Sequence, residues 1–361
     1  MRTEPLVETT FNDAKSVVVD RFGMGALPVL ERVMKNPLRR LCPDVGDVVY
    51  DGNEPVCFQA MMLRRLYLGD KELFGQVGGL TCLKNGAPAE AYLDVRAAAA
   101  KPRHGSVIWF GNSQNAESAK AARIWARRKK PVVFEGPESC LRFLWRAIRP
   151  IECAAYFLRR KVLKKALPQW KDFSTLGSAG YCVTRGNVEI HRLMEVSPDF
   201  FDVLMNEYVK TNDGLVCSRT AEEVGWIFGD RIKDGRCVAL GAFSKNRPAG
   251  YIVARSDCKA KRWQILDWFA LRNEECILEA LLSEICRFLK RKTPAMMLES
   301  GGFPMYIQSL LMKYLPHKRE IGHNVFSWGS GSKEFRESAL PIIDTPQSWF
   351  FGPYDGDECL G

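Results

Sequence analysis

Chemistry in this chain has to come from a few polar groups set among apolar ones. Asp267 is followed directly by Trp268 and Phe269. A carboxylate in an apolar setting has a raised pKa and can exchange protons near neutral pH, but a strand-end Asp paired with an arginine reads equally well. Two polar turns open helices: Lys84-Asn85-Gly86-Ala87-Pro88 before a helix at about 89–101, and Arg272-Asn273-Glu274-Glu275 before one over 276–291. The free backbone N–H groups and positive dipole end of a helix N-terminus suit a phosphate. The first turn has one lysine and one glycine. The second has two acids, which favour the helix but repel an anion. Asn112 and Asn115 follow a strand over 106–110 and stand before a second helix, where Asn is also a routine cap.

Other chemistries find less. Ser178 lacks the Gly-x-Ser-x-Gly elbow and a placed histidine, and Gly23-Met24-Gly25 lacks the third glycine of a dinucleotide turn. Gly329-Ser330-Gly331-Ser332 reads as a flexible surface loop. The 12 cysteines contain no CxxC pair, and several, such as Cys57, Cys82, Cys182 and Cys237, stand in apolar segments as small hydrophobes. Of the 4 histidines, His317 and His323 have no partner at zinc-finger spacing, so no metal site is expected.

These groups need elements to position them. The chain of 361 residues, 46% hydrophobic and 26% charged, suffices for two globular domains. No run approaches the ~20 apolar residues of a membrane span. The N-terminus carries Glu4, Glu8 and Asp13 in place of an apolar signal core, so the expected location is the cytoplasm. The net charge of +10 is concentrated in residues 120–171, where 15 basic residues face 3 acidic ones. Arg142, Arg146 and Arg149 there fit one helical face. The segment is either a solvated linker helix or a surface for tRNA or another polyanion.

Self-similarity organises the rest. Residues 48–60, VVYDGNEPVCFQA, match residues 241–253, GAFSKNRPAGYIV, with Asn53 and Pro55 aligned to Asn246 and Pro248. Each segment reads as a hairpin preceded by helix (26–34 and 198–209). Each is followed by strand, helix, strand and helix: 73–83, 89–101, 106–110 and 116–128 in one half, 263–271, 276–291, 295–299 and 304–314 in the other. This spacing predicts an α/β (α+β) chain duplicated internally, with each half a mixed, mostly antiparallel sheet flanked by helices.

In that order of elements the chain resembles a tandem pair from the GNAT acyltransferase superfamily. The first half contributes Asn36-Pro37, Asp51-Gly52 and the strand through Gly78-Gly79. The second half is similar to Fem-type aminoacyl transferases at Pro198-Asp199-Phe200, Pro248-Ala249-Gly250-Tyr251, Ile265-Leu266-Asp267, Trp349 and Tyr354-Asp355-Gly356-Asp357. The resemblance implies GNAT-like domains at 1–145 and 181–361 joined by a basic helical linker at 146–180. It implies transfer of an acyl group from acyl-CoA, such as acetyl-CoA, to an amine on a small molecule or peptide. It places the donor on Lys84, Asn85, Gly86 and Ala87, with Asn112 and Asn115 toward its pantetheine arm, and gives proton handling to Asp267 and Tyr306. Neither turn has the family's Arg/Gln-x-x-Gly-x-Gly/Ala loop. Two alternatives therefore stand beside acyl-CoA: an aminoacyl-tRNA donor, or a degenerate GNAT-fold binding module.

Overall fold

The computed structural model describes residues 1–113, 132–134, 143–164, 176, 180–257, 261–271, 275–301, 305–319, 325–330, 332–343, 345, 348–350, 352–355 and 360. Asn115, the predicted helix over 116–128 and about half of the basic segment lie outside them. The chain divides into two units, neither of them a single stretch. One comprises Met1–Cys140, Asp213–Ser218 and Gly322–Gly361; the other comprises Leu141–Asn212 and Arg219–Ile321.

Strands are numbered in chain order. The first unit holds β1 (Arg2–Pro5), β2 (Gly46–Asp51), β3 (Glu54–Leu68), β4 (Lys71–Leu83), β5 (Ile108–Ser113) and β6 (Val132–Phe134). The second begins with β7 (Phe143–Ala147), β8 (Cys182–Arg185) and β9 (Val188–Leu193). The chain then returns to the first unit for β10 (Leu215–Cys217). The second unit continues with β11 (Cys237–Ser244), β12 (Arg247–Asp257), β13 (Arg262–Ala270), β14 (Met297–Ser300) and β15 (His317–Arg319). Finally β16 (Val325–Gly329) and β17 (Trp349–Phe350) belong to the first unit.

The first sheet runs β1-β2-β3-β4-β5-β16-β6, with β10 on β3 and β17 on β10; the second runs β8-β9-β11-β12-β13-β14-β7-β15. From β1 in one and β9 in the other, seven positions share one polarity pattern, antiparallel throughout except for one parallel pair, β4 with β5 and β13 with β14. Both sheets are mixed and mostly antiparallel. In each, the strand beside the parallel pair comes from far along the chain. β16 lies between β5 and β6, and β7 lies between β14 and β15.

The matched hairpins have local causes. Asp51 pairs with Glu54 and Ser244 with Arg247, so each loop is two residues long. Gly52 (φ 60°) supplies the left-handed residue of one loop; Lys245 (φ 49°) and Asn246 (φ 62°) supply those of the other, as tight hairpins require. Each second strand then bulges just after its proline. The register moves from Tyr50–Pro55 to Val49–Cys57 in one, and from Phe243–Pro248 to Ala242–Gly250 in the other.

Three sequence expectations are corrected. Residues 143–147 form a strand, so Arg146 is not on a helical face; β14 and β15 take both edges of this stretch, and Leu144 is fully buried. The helix in the basic segment begins later, at Pro150–Lys161. Gly329 closes β16 and is buried, and the Ser330 hydroxyl donates to the Val107 carbonyl, so this stretch is not a loose loop. Of the four cysteines placed in apolar segments, Cys57, Cys82 and Cys237 are buried, whereas Cys182 is exposed. Burial pushes the Cys57 thiol up to about 12 and that of Cys237 to about 11.

The first unit's sheet is closed by aromatics from the end of the chain. Trp349 meets Phe110 edge-on at 5.6 Å and Trp328 at 5.9 Å, all three buried. A Cβ on Gly329 would lie 2.4 Å from the Trp109 ring. Gly329→Val therefore overpacks the β5–β16 seam and is expected to cost about 1–3 kcal/mol, read as a lowered urea midpoint with an unchanged m-value. An unchanged midpoint would show that β16 is not held against β5.

Candidate functional site

In the first unit the parallel pair is short. Gly75–Gly78 face Ile108–Gly111, and beyond them β4 stays with β3 while β5 stays with β16. Two residues past this point β4 bulges: the ladder with β3 passes from Ala60–Gly79 to Phe58–Cys82, and Leu80 between them has φ 41°. A bulge turns backbone groups out of the ladder. A small pocket lies against the last paired residues of the cleft between β4 and β5, lined by Gln59, Met61, Gly78, Trp109, Phe110 and Gly111, with Arg96, Ala99 and Ala100 from the helix end and the residue after it.

Gln59 is the polar group built into this cleft. Its side chain is buried, Nε2 lies 3.6 Å from the Met61 sulfur, and Oε1 has no partner among the described residues. Turning the amide over would exchange its ends but still leave one polar atom unmatched. A buried acceptor without a donor costs about 1–3 kcal/mol, so this position favours a ligand that brings an N–H. Gly78 leaves room for this amide, since a Cβ there would stand 3.0 Å from Gln59 Nε2. Sequence reading missed Gln59. The only available signal was one amide inside the apolar run Val56–Met62, on a strand whose two faces are both buried.

The predicted donor loop lies where expected, between β4 and the helix Ala89–Ala99. Ala87 N–H closes a turn onto the Lys84 carbonyl at 3.2 Å, and Gly86 takes φ 80°. Two acids occupy this loop. Lys84 Nζ is 3.1 Å from Glu54, and the Asn85 backbone N–H donates to the Asp20 carboxylate at 2.9 Å. Arg21 Nη1 also donates to Asn85 Oδ1 at 3.3 Å. Asn112 is on β5, paired with Phe326 of β16, and not in a following loop.

The second unit repeats the opening with different contents. Arg262–Ile265 face Met297–Ser300, and β13 bulges at Leu266, where the register passes from Ile265–Ala254 to Asp267–Val253. Asp267, the next residue, is fully buried. Arg219 holds it through two hydrogen bonds, Nε to Oδ2 at 3.1 Å and Nη2 to Oδ1 at 3.2 Å, and the Tyr251 hydroxyl donates to Oδ2. Arg219 also lies over the Phe269 ring at 5.0 Å. The setting of Asp267 thus includes a bidentate guanidinium, the arrangement that most favours a charged carboxylate. Tyr306 is the second residue of the helix Met305–Tyr314, and its side chain lies outside the described set. The structure therefore brings Lys84–Ala87 together in the first unit but places Asp267 and Tyr306 in the second.

Removing one member of a buried ion pair leaves an uncompensated charge, at about 3–5 kcal/mol. Asp267→Asn and Arg219→Met are each expected to lower stability on that scale, and the double variant to lose less than their sum. Additive losses in chemical denaturation would show that the pair is not a unit.

No protein-family model matches the chain, and no curated protein is significantly similar in sequence. Solved structures do match. The N-myristoyltransferase of Saccharomyces cerevisiae with bound myristoyl-CoA aligns over 91% of this chain and 78% of its own, with TM-score 0.57 and 11% identity. A probable N-acyltransferase from Enterococcus faecalis aligns over 90% and 71%, with TM-score 0.51 and 11% identity. A GCN5-related N-acetyltransferase from Kribbella flavida aligns over 91% and 69%, with TM-score 0.50 and 10% identity. With its two mixed sheets, each parted beside a bulged strand, the chain has the GNAT fold that these N-acetyltransferases and N-myristoyltransferases share.

Proposed function

We propose that this protein is an N-acyltransferase that binds an acyl-CoA in the cleft between β4 and β5 and passes the acyl group to an amine on a small molecule or peptide. The observation that carries this reading is the buried, half-satisfied Gln59 amide at a parted strand pair beside a backbone bulge. A pantetheine arm is a narrow chain bearing amide N–H groups, which matches that acceptor. The likeness to an N-myristoyltransferase with bound myristoyl-CoA supports the same donor class. A tRNA donor draws no support from the structures matched.

A second reading has its own observation. Glu54 and Asp20 occupy the loop that would receive the pyrophosphate, and an occupied loop suits a GNAT-fold module that binds without turnover. In the transferase reading Asp267 is a structural carboxylate, and Lys84–Ala87 take phosphate only as those acids give way.

The test is calorimetric titration of the whole chain with acetyl-CoA and myristoyl-CoA, alongside an amine-acetylation assay. Saturable binding is expected, weakened about fivefold to tenfold by Gln59→Leu, the worth of about one neutral hydrogen bond. Asp20→Asn is expected to tighten CoA by a few fold while leaving pantetheine unchanged. Binding without turnover on any amine selects the module reading. Failure of both CoAs to bind, or binding indifferent to Gln59→Leu, removes the cleft from the mechanism.

A further inference from the structure

Near the cleft, on the side of β2, where Asp47 pairs with Gln59, the first unit brings a thiol, a carboxylate and an imidazole to one point. Cys42 Sγ donates to Asp44 Oδ1 at 3.2 Å, and His104 Nε2 lies 2.8 Å from the same oxygen. The three potential donor atoms all fall within 4.8 Å of one another. A tetrahedral zinc ion, with bonds of about 2.0–2.3 Å, spaces its ligands by roughly 3.3–3.6 Å. The cluster would reach that spacing through side-chain shifts of under about an ångström.

We propose that Cys42, Asp44 and His104 form a site for one divalent ion of the zinc class. The surroundings do what outer partners of a metal site do. Arg103 Nη1 holds the other Asp44 oxygen, Oδ2, at 3.0 Å and so leaves Oδ1 for the cluster; it also donates to the Gly46 carbonyl at 3.1 Å. Its Nη2 is taken by the buried Asp47 carboxylate. Charges balance on the same count: the guanidinium and a dication against Asp44, Asp47 and a Cys42 thiolate sum to zero. Cys42 is buried beside Leu38 and Leu63, while the His104 side chain is 37% exposed. An ion therefore enters from the His104 side and keeps a water in its fourth position. The thiolate–imidazole combination selects zinc-like ions over magnesium or calcium.

The site ties the turn before β5 to the segment before β2, 60 residues away, so its effect is on the stability of the first unit. Sequence spacing hides it because the histidine is so distant from the Cys-x-Asp pair, which is why no metal was expected from the sequence.

The test is titration of the chelator-stripped chain with Co²⁺ and then Zn²⁺. The expected result is one equivalent of Co²⁺ with a thiolate-to-cobalt charge-transfer band, displaced by Zn²⁺, and a zinc-dependent rise in Tm. His104→Ala changes an exposed side chain and is expected to weaken binding at least about tenfold and abolish the Tm rise. Cys182→Ser, at an exposed cysteine elsewhere, is expected to change neither. Cys42→Ser removes the charge-transfer band if it folds; if it does not, the His104 variant decides. Absence of stoichiometric binding, or His104→Ala binding cobalt like the parent, reduces the cluster to a hydrogen-bond network and overturns the site.

Discussion

The cleft of the first unit depends on two parallel strands that pair for four residues and then separate. Separation exposes backbone groups that must find other partners or water, so a parted pair survives only if each strand keeps a complete ladder on its other side. Here β4 keeps β3 as far as Leu83, and β5 keeps β16, which holds Asn112 and Ser113 beyond the point where β4 has left. Glycines permit the close part of the pairing. A Cβ at Gly75 would meet Leu66 at 2.4 Å, and Gly111 lies directly against the Gly78 backbone. The strand added from the end of the chain is therefore a condition of the cleft. In the second unit β7 does for β14 what β16 does for β5.

The same opening has been used in two ways. Beside the second bulge, Asp267, Arg219 and Tyr251 form a buried network in which the carboxylate is bonded on both oxygens. Such a network adds little net stability over apolar packing, but it is costly to break and tolerates few alternative arrangements. Beside the first bulge the polar group is a neutral amide with an acceptor left over. A neutral amide can wait for a partner at modest cost, whereas a buried charge cannot. In the reading proposed above, the second opening serves structure and the first takes the ligand.

What could be read from the sequence follows the range of the forces involved. The hairpins were legible because Gly52-Asn53 and Lys245-Asn246 set their turns locally and the prolines mark the bulges that follow. The sheet class followed from the order of apolar runs. Residues 143–147 were misread because arginines four and seven apart suggest a helix, while the strand exists only through β14 and β15, far along the chain. Asp267 was located but its environment was not. Arg219 is 48 residues away, and no spacing rule joins a guanidinium to a carboxylate across that distance. Gln59 was hidden for the opposite reason: with both faces of β3 buried, alternation between polar and apolar positions gives no sign of which face a lone amide takes.

The charges around the donor loop bear on which part of a thioester donor supplies the binding energy. A pyrophosphate approaching Lys84–Ala87 meets a lysine already on Glu54 and a backbone N–H already on Asp20. Both acids are at the surface, where each interaction is screened and weak, so displacing them is feasible but leaves little net gain. The cleft itself is apolar apart from Gln59 and Arg96, with Met61, Trp109 and Phe110 along it. Apolar burial contributes about 25 cal/mol per Å² without depending on salt. For a donor held in this way, the pantetheine arm and acyl chain outweigh the phosphates, and discrimination falls on the acyl group more than on the nucleotide.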